Sequence, residues 1–160
     1  MVERGKSLKP VLGWREWLAL PELGIHAIRA KLDSGARSSA LHVDSLETFQ
    51  SNGREWVRFS VATGPQDGNA VLVESTVHDR RPVTDSGGHV SERIFLRTRL
   101  LLAGQAYPVE INLTSRRNML FPMLLGRTAL ARHFLIDPGR SFRAGRNPAE
   151  PVVHSTSPRP

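Results

Sequence analysis

No cysteine occurs anywhere in the 160-residue chain, and there is a single tyrosine. The first absence excludes a disulfide framework and any thiolate metal site. Aromatic residues make up only 6% of the chain and apolar residues 39%, which is lean for a globular protein. No segment approaches the roughly 20 consecutive apolar residues that cross a bilayer. The opening Met1-Val2-Glu3-Arg4-Gly5-Lys6-Ser7-Leu8-Lys9-Pro10 is polar, without the apolar stretch of a secretory signal. These absences lead to the expectation of a cytoplasmic protein with no membrane partner.

What is abundant is turn chemistry and positive charge. The chain holds 13 Gly and 11 Pro, and short apolar runs between turns favour a β-rich fold over a helical bundle. Strands are expected at 11–20, at 24–32 running into Asp33, at 38–43, 56–61, 70–77, 93–102 and 107–113. Asn52-Gly53 is a hairpin signal. Met123-Leu124-Leu125-Gly126 is a short apolar run, and one helix is expected from Arg127 to Phe134. Residues 1–9 read as an N-terminal arm and 10–138 as one domain. From 139 to 160 apolar periodicity ends, which predicts a disordered basic and Pro-rich tail. The formal charge of +7 fits either simple solubility with a basic tail or an anionic partner.

Two segments carry the chemistry. The first is an apolar strand delivering Leu32-Asp33-Ser34-Gly35-Ala36; the second is Pro122-Met123-Leu124-Leu125-Gly126-Arg127. Each alone is a weak signal, since Asp-Ser-Gly occurs in many ordinary turns. Together and in this order they resemble the retropepsin family of aspartic peptidases. The resemblance implies a mainly β fold: a closed antiparallel β-barrel of the retropepsin (acid protease) type with one short C-terminal helix. It implies Asp33, Ser34 and Gly35 as the catalytic turn. Two carboxylates sharing one proton let one act as base toward water while the other donates to the carbonyl. A chain with one such turn supplies one aspartate, so two copies must meet about a two-fold axis, and a homodimer is expected. No cofactor is implied.

The resemblance narrows over longer stretches. Ala30 to His42 and Ser115 to Arg127 are similar to blocks of a bacterial family named as ATP-dependent zinc proteases, whose members often neighbour an ATP-grasp glutamate ligase. The family more often has threonine where this chain has Ser34; both carry the hydroxyl. No His-Glu-x-x-His pattern and no phosphate-binding Gly-rich loop with Lys-Ser/Thr accompany the name, so the aspartic reading is preferred and no metal ligand is assigned. The ligase association implies an acidic, glutamate-rich or poly-glutamate substrate, suited by arginines.

Candidate substrate-binding residues are Arg37, Ser38, Ser39, His42, Arg116 and Arg117. Arg37 reads equally as a carboxylate clamp or a structural ion pair. Ser38, Ser39 and His42 brace the turn or line a cleft. Arg116 and Arg117 face an acidic substrate or sit in a solvated loop, and Arg127 ties the helix to the turn or to a partner copy. Asp85-Ser86-Gly87-Gly88 follows Arg80-Arg81-Pro82 instead of an apolar strand, which favours a flap or loop over a second catalytic turn. The leading expectation is an aspartic endopeptidase. Its rival is a non-catalytic module of the same fold that holds acidic peptides, and a basic nucleic-acid binder ranks third.

Overall fold

The computed structural model describes residues 8–63, 70–115 and 120–152. Twelve strands and one helical turn of α type follow in order: β1 (Val11–Gly13), β2 (Arg15–Leu20), β3 (Ile25–Asp33), β4 (Ser39–His42), β5 (Asp44–Ser51), β6 (Arg54–Ala62), β7 (Ala70–Thr76), β8 (Asp79–Thr84), β9 (Val90–Leu102), β10 (Gln105–Thr114), β11 (Met123–Gly126), α1 (Arg127–Leu130) and β12 (Leu135–Asp137). The expected strands are all present, and the expected closed barrel forms. It runs β10-β4-β11-β3-β2-β9 and closes through the β9–β10 pairing, while β8 extends it beyond β9. The barrel is not antiparallel throughout: β3–β11 and β4–β10 are parallel. The reason is topological, since β11 inserts between β3 and β4 and runs with one and against the other.

Period-two alternation builds the interior. Ile28, Ala30 and Leu32 of β3 point inward with Val57, Phe59 and Val61 of β6, and with Leu96, Leu100 and Leu102 of β9. Leu41, Ile111, Met123 and Leu125 complete the same cluster. Each fully buried Val, Leu, Ile, Phe or Met side chain among them contributes about 1.5–3 kcal/mol. Beside the barrel lies a three-stranded meander, β5-β6-β7. Its first turn is Asn52-Gly53, with φ of 52° and 73°, the paired left-handed conformation that a tight hairpin needs and that Asn-Gly adopts readily.

Three expectations are corrected. The helix stops at Leu130 instead of continuing to Phe134, because the chain must turn there to pair β12 with β1. The span 11–20 is two strands, interrupted at Trp14, whose N–H donates to Arg140 O. Residues 139–152, expected as tail, are docked on the barrel. The agent is Glu16, wholly buried, whose carboxylate accepts N–H groups from Gly13 (2.7 Å), Arg143 (2.9 Å) and Ala144 (3.0 Å). No apolar period announces that segment, because one carboxylate and backbone groups hold it. Among the described residues no helix is long and apolar enough to cross a membrane.

Candidate active site

Strand β3 ends at Asp33, directly opposite Gly126 of β11. The chain then turns through residues 34–38 into β4. Within the turn the Gly35 N–H donates to Asp33 Oδ1 at 2.9 Å, and the Ala36 N–H to Asp33 O at 3.2 Å. Asp33 is half-buried while Ser34 and Gly35 are exposed. Its Oδ2 accepts no hydrogen bond among the described residues, so one carboxylate oxygen is oriented and the other is presented. A Cβ added at Gly35 would sit 3.2 Å from Asp33 Oδ1, crowding the carboxylate.

The turn is fixed from below. A Cβ at Gly126 would lie 2.5 Å from Ser38 O and 2.9 Å from Ala36 O, so only glycine lets β11 pass under the turn. The Gly126 N–H donates to Ser39 Oγ at 3.0 Å. Immediately after it, the Arg127 N–H donates to Ala36 O at 2.7 Å, Thr128 Oγ1 to Arg37 O at 2.9 Å, and Arg127 Nη1 to Ser34 O at 3.3 Å. The first turn of α1 therefore clamps the carbonyls of Ser34, Ala36 and Arg37. A second line of support comes from β10: Asn112 Nδ2 donates to Ser39 O at 2.8 Å and Arg93 Nη1 donates to Asn112 Oδ1 at 3.0 Å. Ser39 and Asn112 are buried.

The expected site residues divide accordingly. Asp33, Ser34, Gly35, Arg37 and Ser38 share the turn. Ser39 is fully buried and faces no cleft; its hydroxyl and carbonyl hold Gly126 and Asn112. Of the residues expected to brace the turn, Ser39 does so through its hydroxyl, whereas Ser34 Oγ makes no hydrogen bond among the described residues. His42 stands at the far end of β4, about 10 Å of strand from Ser39, with its N–H on Pro122 O. Arg116 and Arg117 lie outside the described residues. Arg37 forms no ion pair among the described residues. Sequence reasoning missed Asn112, which stands on an ordinary-looking strand. The alternation that brings β3 to Asp33 also puts Arg29 and Lys31 on the face of that carboxylate.

Asp85 caps a local turn. Its Oδ1 accepts the Gly87 and His89 N–H groups, both at 2.9 Å, at the tip of the β8–β9 hairpin. This is a hairpin tip and lacks the strand-under-turn packing found at Asp33. The hairpin is anchored by Arg81, whose guanidinium holds Glu110 of β10 through two 3.0 Å bonds and Asp79 at 2.7 Å, lying 4.5 Å over the Phe95 ring. The Arg81 hydrogen bonds hold the Glu110 and Asp79 carboxyls below their ordinary range. Behind α1, Tyr107 donates its hydroxyl to Ala129 O at 2.7 Å and stacks on His133 at 3.6 Å. Burial raises the Tyr107 phenol and, with the charges of Arg132 and Lys9, lowers His133. Among the described residues no three His, Asp or Glu side chains are grouped to hold a metal ion, so the zinc of the family label finds no fitting donor set there.

Comparison with known proteins agrees with this geometry. A family model described as RimB-like, retropepsin-like aspartic endopeptidase RimB, matches residues 11–147. A probable alpha-L-glutamate ligase of Shewanella halifaxensis is 39% identical over 139 residues, 86% of this chain and 30% of that protein. One from Desulfotalea psychrophila is 40% identical over 138 residues, with the same coverage. The chain thus spans under a third of the length of these relatives. A crystal structure of the Legionella pneumophila protein Lpg0085, of unknown function (DUF785), superposes with a TM-score of 0.70 at 25% identity, covering 84% of this chain and 98% of that one.

Proposed function

The chain belongs to the RimB-like family of retropepsin-like aspartic endopeptidases, and from that premise we propose that it hydrolyses peptide bonds in acidic, glutamate-rich polypeptides. The observation that carries the reading is Asp33: a half-buried carboxylate with one oxygen oriented by the Gly35 N–H and the other presented. One such group is half of an aspartic dyad, so the second Asp33 comes from a second copy of the chain. Two carboxylates about 3 Å apart share one proton. The ionised one takes a proton from water as it attacks the carbonyl carbon, and the protonated one donates to the carbonyl oxygen. Collapse of the tetrahedral intermediate breaks the C–N bond as the amine accepts a proton. Ser34 is exposed and its hydroxyl makes no hydrogen bond among the described residues, which supports a contact with the partner's turn. The relatives named for joining glutamate support a glutamate-containing substrate.

A second reading is supported by the same relatives. A domain found within proteins named as ligases can serve as a non-catalytic holder of acidic chains. The two are separated by hydrolysis of oligoglutamate by wild type and Asp33→Asn from about pH 4 to 8, with and without chelator. Chelator-resistant cleavage lost in Asp33→Asn is the expected result. Cleavage that survives the substitution and dies with chelator overturns the mechanism. Binding without cleavage in both proteins selects the holder.

A further inference from the structure

Some arginines of the described chain are paired with carboxylates and others are not. Around β6 and β8 they are neutralised: Arg58 by Glu47 and Glu74, Arg80 by Glu55 and Glu92, Arg81 by Asp79 and Glu110. On the outer face of β2 and β3, Arg15, Arg29 and Lys31 have no carboxylate within ion-pair distance among the described residues, and neither does Arg146, which lies against that face. The register puts Arg15 opposite Lys31 and Trp17 opposite Arg29. Alternation along β3 then carries the row Arg29, Lys31, Asp33 along one face at the two-residue repeat of about 6.6–6.8 Å.

This face is also stiffened. The Arg29 guanidinium lies 5.9 Å over the Phe121 ring, and Arg15 stands 4.7 Å from Trp14 and 5.0 Å from Phe142. Arg146 covers Trp17 at 5.0 Å. The rings touch one another, Trp14 edge-on to Phe121 at 5.6 Å and Trp17 beside Phe142 at 6.1 Å. A guanidinium laid on a ring leaves N–H groups at its edge for carboxylates and is already partly desolvated; Arg15 gives its Nε–H to Ser141 Oγ at 3.1 Å. Among the described residues, none of these cations has a carboxylate within ion-pair distance.

We infer that this face is the track that holds the acidic chain on one side of the bond to be cut, with Arg29 and Lys31 determining specificity; the inference rests on Asp33 being the catalytic carboxylate. An extended acidic peptide presents alternate carboxylates at the same two-residue repeat as the row on β3. The occupant is a polypeptide and not single-stranded nucleic acid, because guanidinium groups already cover the rings on which bases would stack.

The test uses the full chain carrying Asp33→Asn, so that bound peptide stays intact. Affinity for labelled oligoglutamate is measured across a salt series, with and without Arg29→Gln plus Lys31→Gln. Arg54→Gln plus Arg97→Gln removes the same two charges from exposed positions elsewhere. The track variant is expected to bind roughly tenfold more weakly, two exposed ion pairs' worth, with a shallower salt dependence. The control should stay within about twofold, since distant charges are screened. Thermal melts confirm that both variants are folded. Equal losses in the two variants, or none in the track variant, overturn the inference, and so does an oligonucleotide that displaces the peptide and loses affinity with the same variant. If oligoglutamate binds through the track but wild type leaves it uncut, the peptidase reading fails while the track stands.

Discussion

Gly126 stands opposite Asp33 in the parallel β3–β11 pairing, and the space that a methyl group would need on it is filled by the carbonyls of Ala36 and Ser38. The absence of one side chain thus sets the height of the turn above β11. Gly126→Ala is expected to lift the turn, at a cost of about 1–3 kcal/mol for overpacking, and to abolish Asp33-dependent activity. Urea melts and hydrolysis assays on the same preparation check both effects. A variant with wild-type stability and rate would mean that the turn yields without consequence.

Asn112 links Arg93 to Ser39, and Ser39 holds Gly126. Asn112→Leu keeps the volume but leaves the buried Ser39 carbonyl without its donor, at a cost of about 1–3 kcal/mol. Paired with Ser39→Ala in a double-mutant cycle, it should prove non-additive, because both act on one turn. Additive losses would show that the two residues support the barrel separately.

Glu16→Gln changes one atom of a fully buried group. The amide has one acceptor oxygen where the carboxylate has two for three backbone N–H donors. The expected cost is about 1–3 kcal/mol. It should fall locally on residues 139–147, where Arg140, Arg143 and Arg146 become sites for trypsin. Limited proteolysis that leaves this segment as resistant as in wild type contradicts the assignment.

The Arg81–Glu110 contact gives the β8–β9 hairpin a sensitivity to acid. The folded Glu110 carboxyl titrates below its ordinary 4.5, so the unfolded chain takes up the proton first. The contribution of the contact is complete above about 4.5 and is lost as pH falls through the lower folded value. Screening keeps the effect modest, since both side chains are partly exposed. Protection of the β8 amides, measured relative to the intrinsic exchange rate at each pH, should fall in acid in wild type and should already be low at neutral pH in Glu110→Gln. Indistinguishable exchange in the two proteins would remove Glu110 as the anchor.

Much of this was legible beforehand, for identifiable reasons. Alternation in β3, β6, β9 and β10 reports a sheet with one face on a core, and those strands stand where the pattern puts them. Strands β5 and β8 escaped because neither has an inward apolar row. Every residue from Asp44 to Thr48 is exposed, and β8 reads Asp-Arg-Arg-Pro-Val-Thr, with Pro82 tolerated because the strand lies at a sheet edge. The Asp33 turn was legible as a motif, and Ser39 as a residue that braces it or lines a cleft, but the partners of Ser39 were not. Nothing local marks Asn112 or Gly126 as what Ser39 holds, since each contact depends on a strand distant in sequence. The docking of residues 139–152 was hidden for a similar reason: it hangs on Glu16, a charge that sequence reasoning places in solvent.

The insertion of β11 between β3 and β4 also orders events in time. During synthesis both flanking strands emerge long before Met123, and until then they lack the neighbour they share. The turn at Asp33 can take its final shape only when that late segment arrives, and pairings so remote in sequence form slowly. Whatever Asp33 does is therefore withheld from the nascent chain and from any fragment cut short of Phe121.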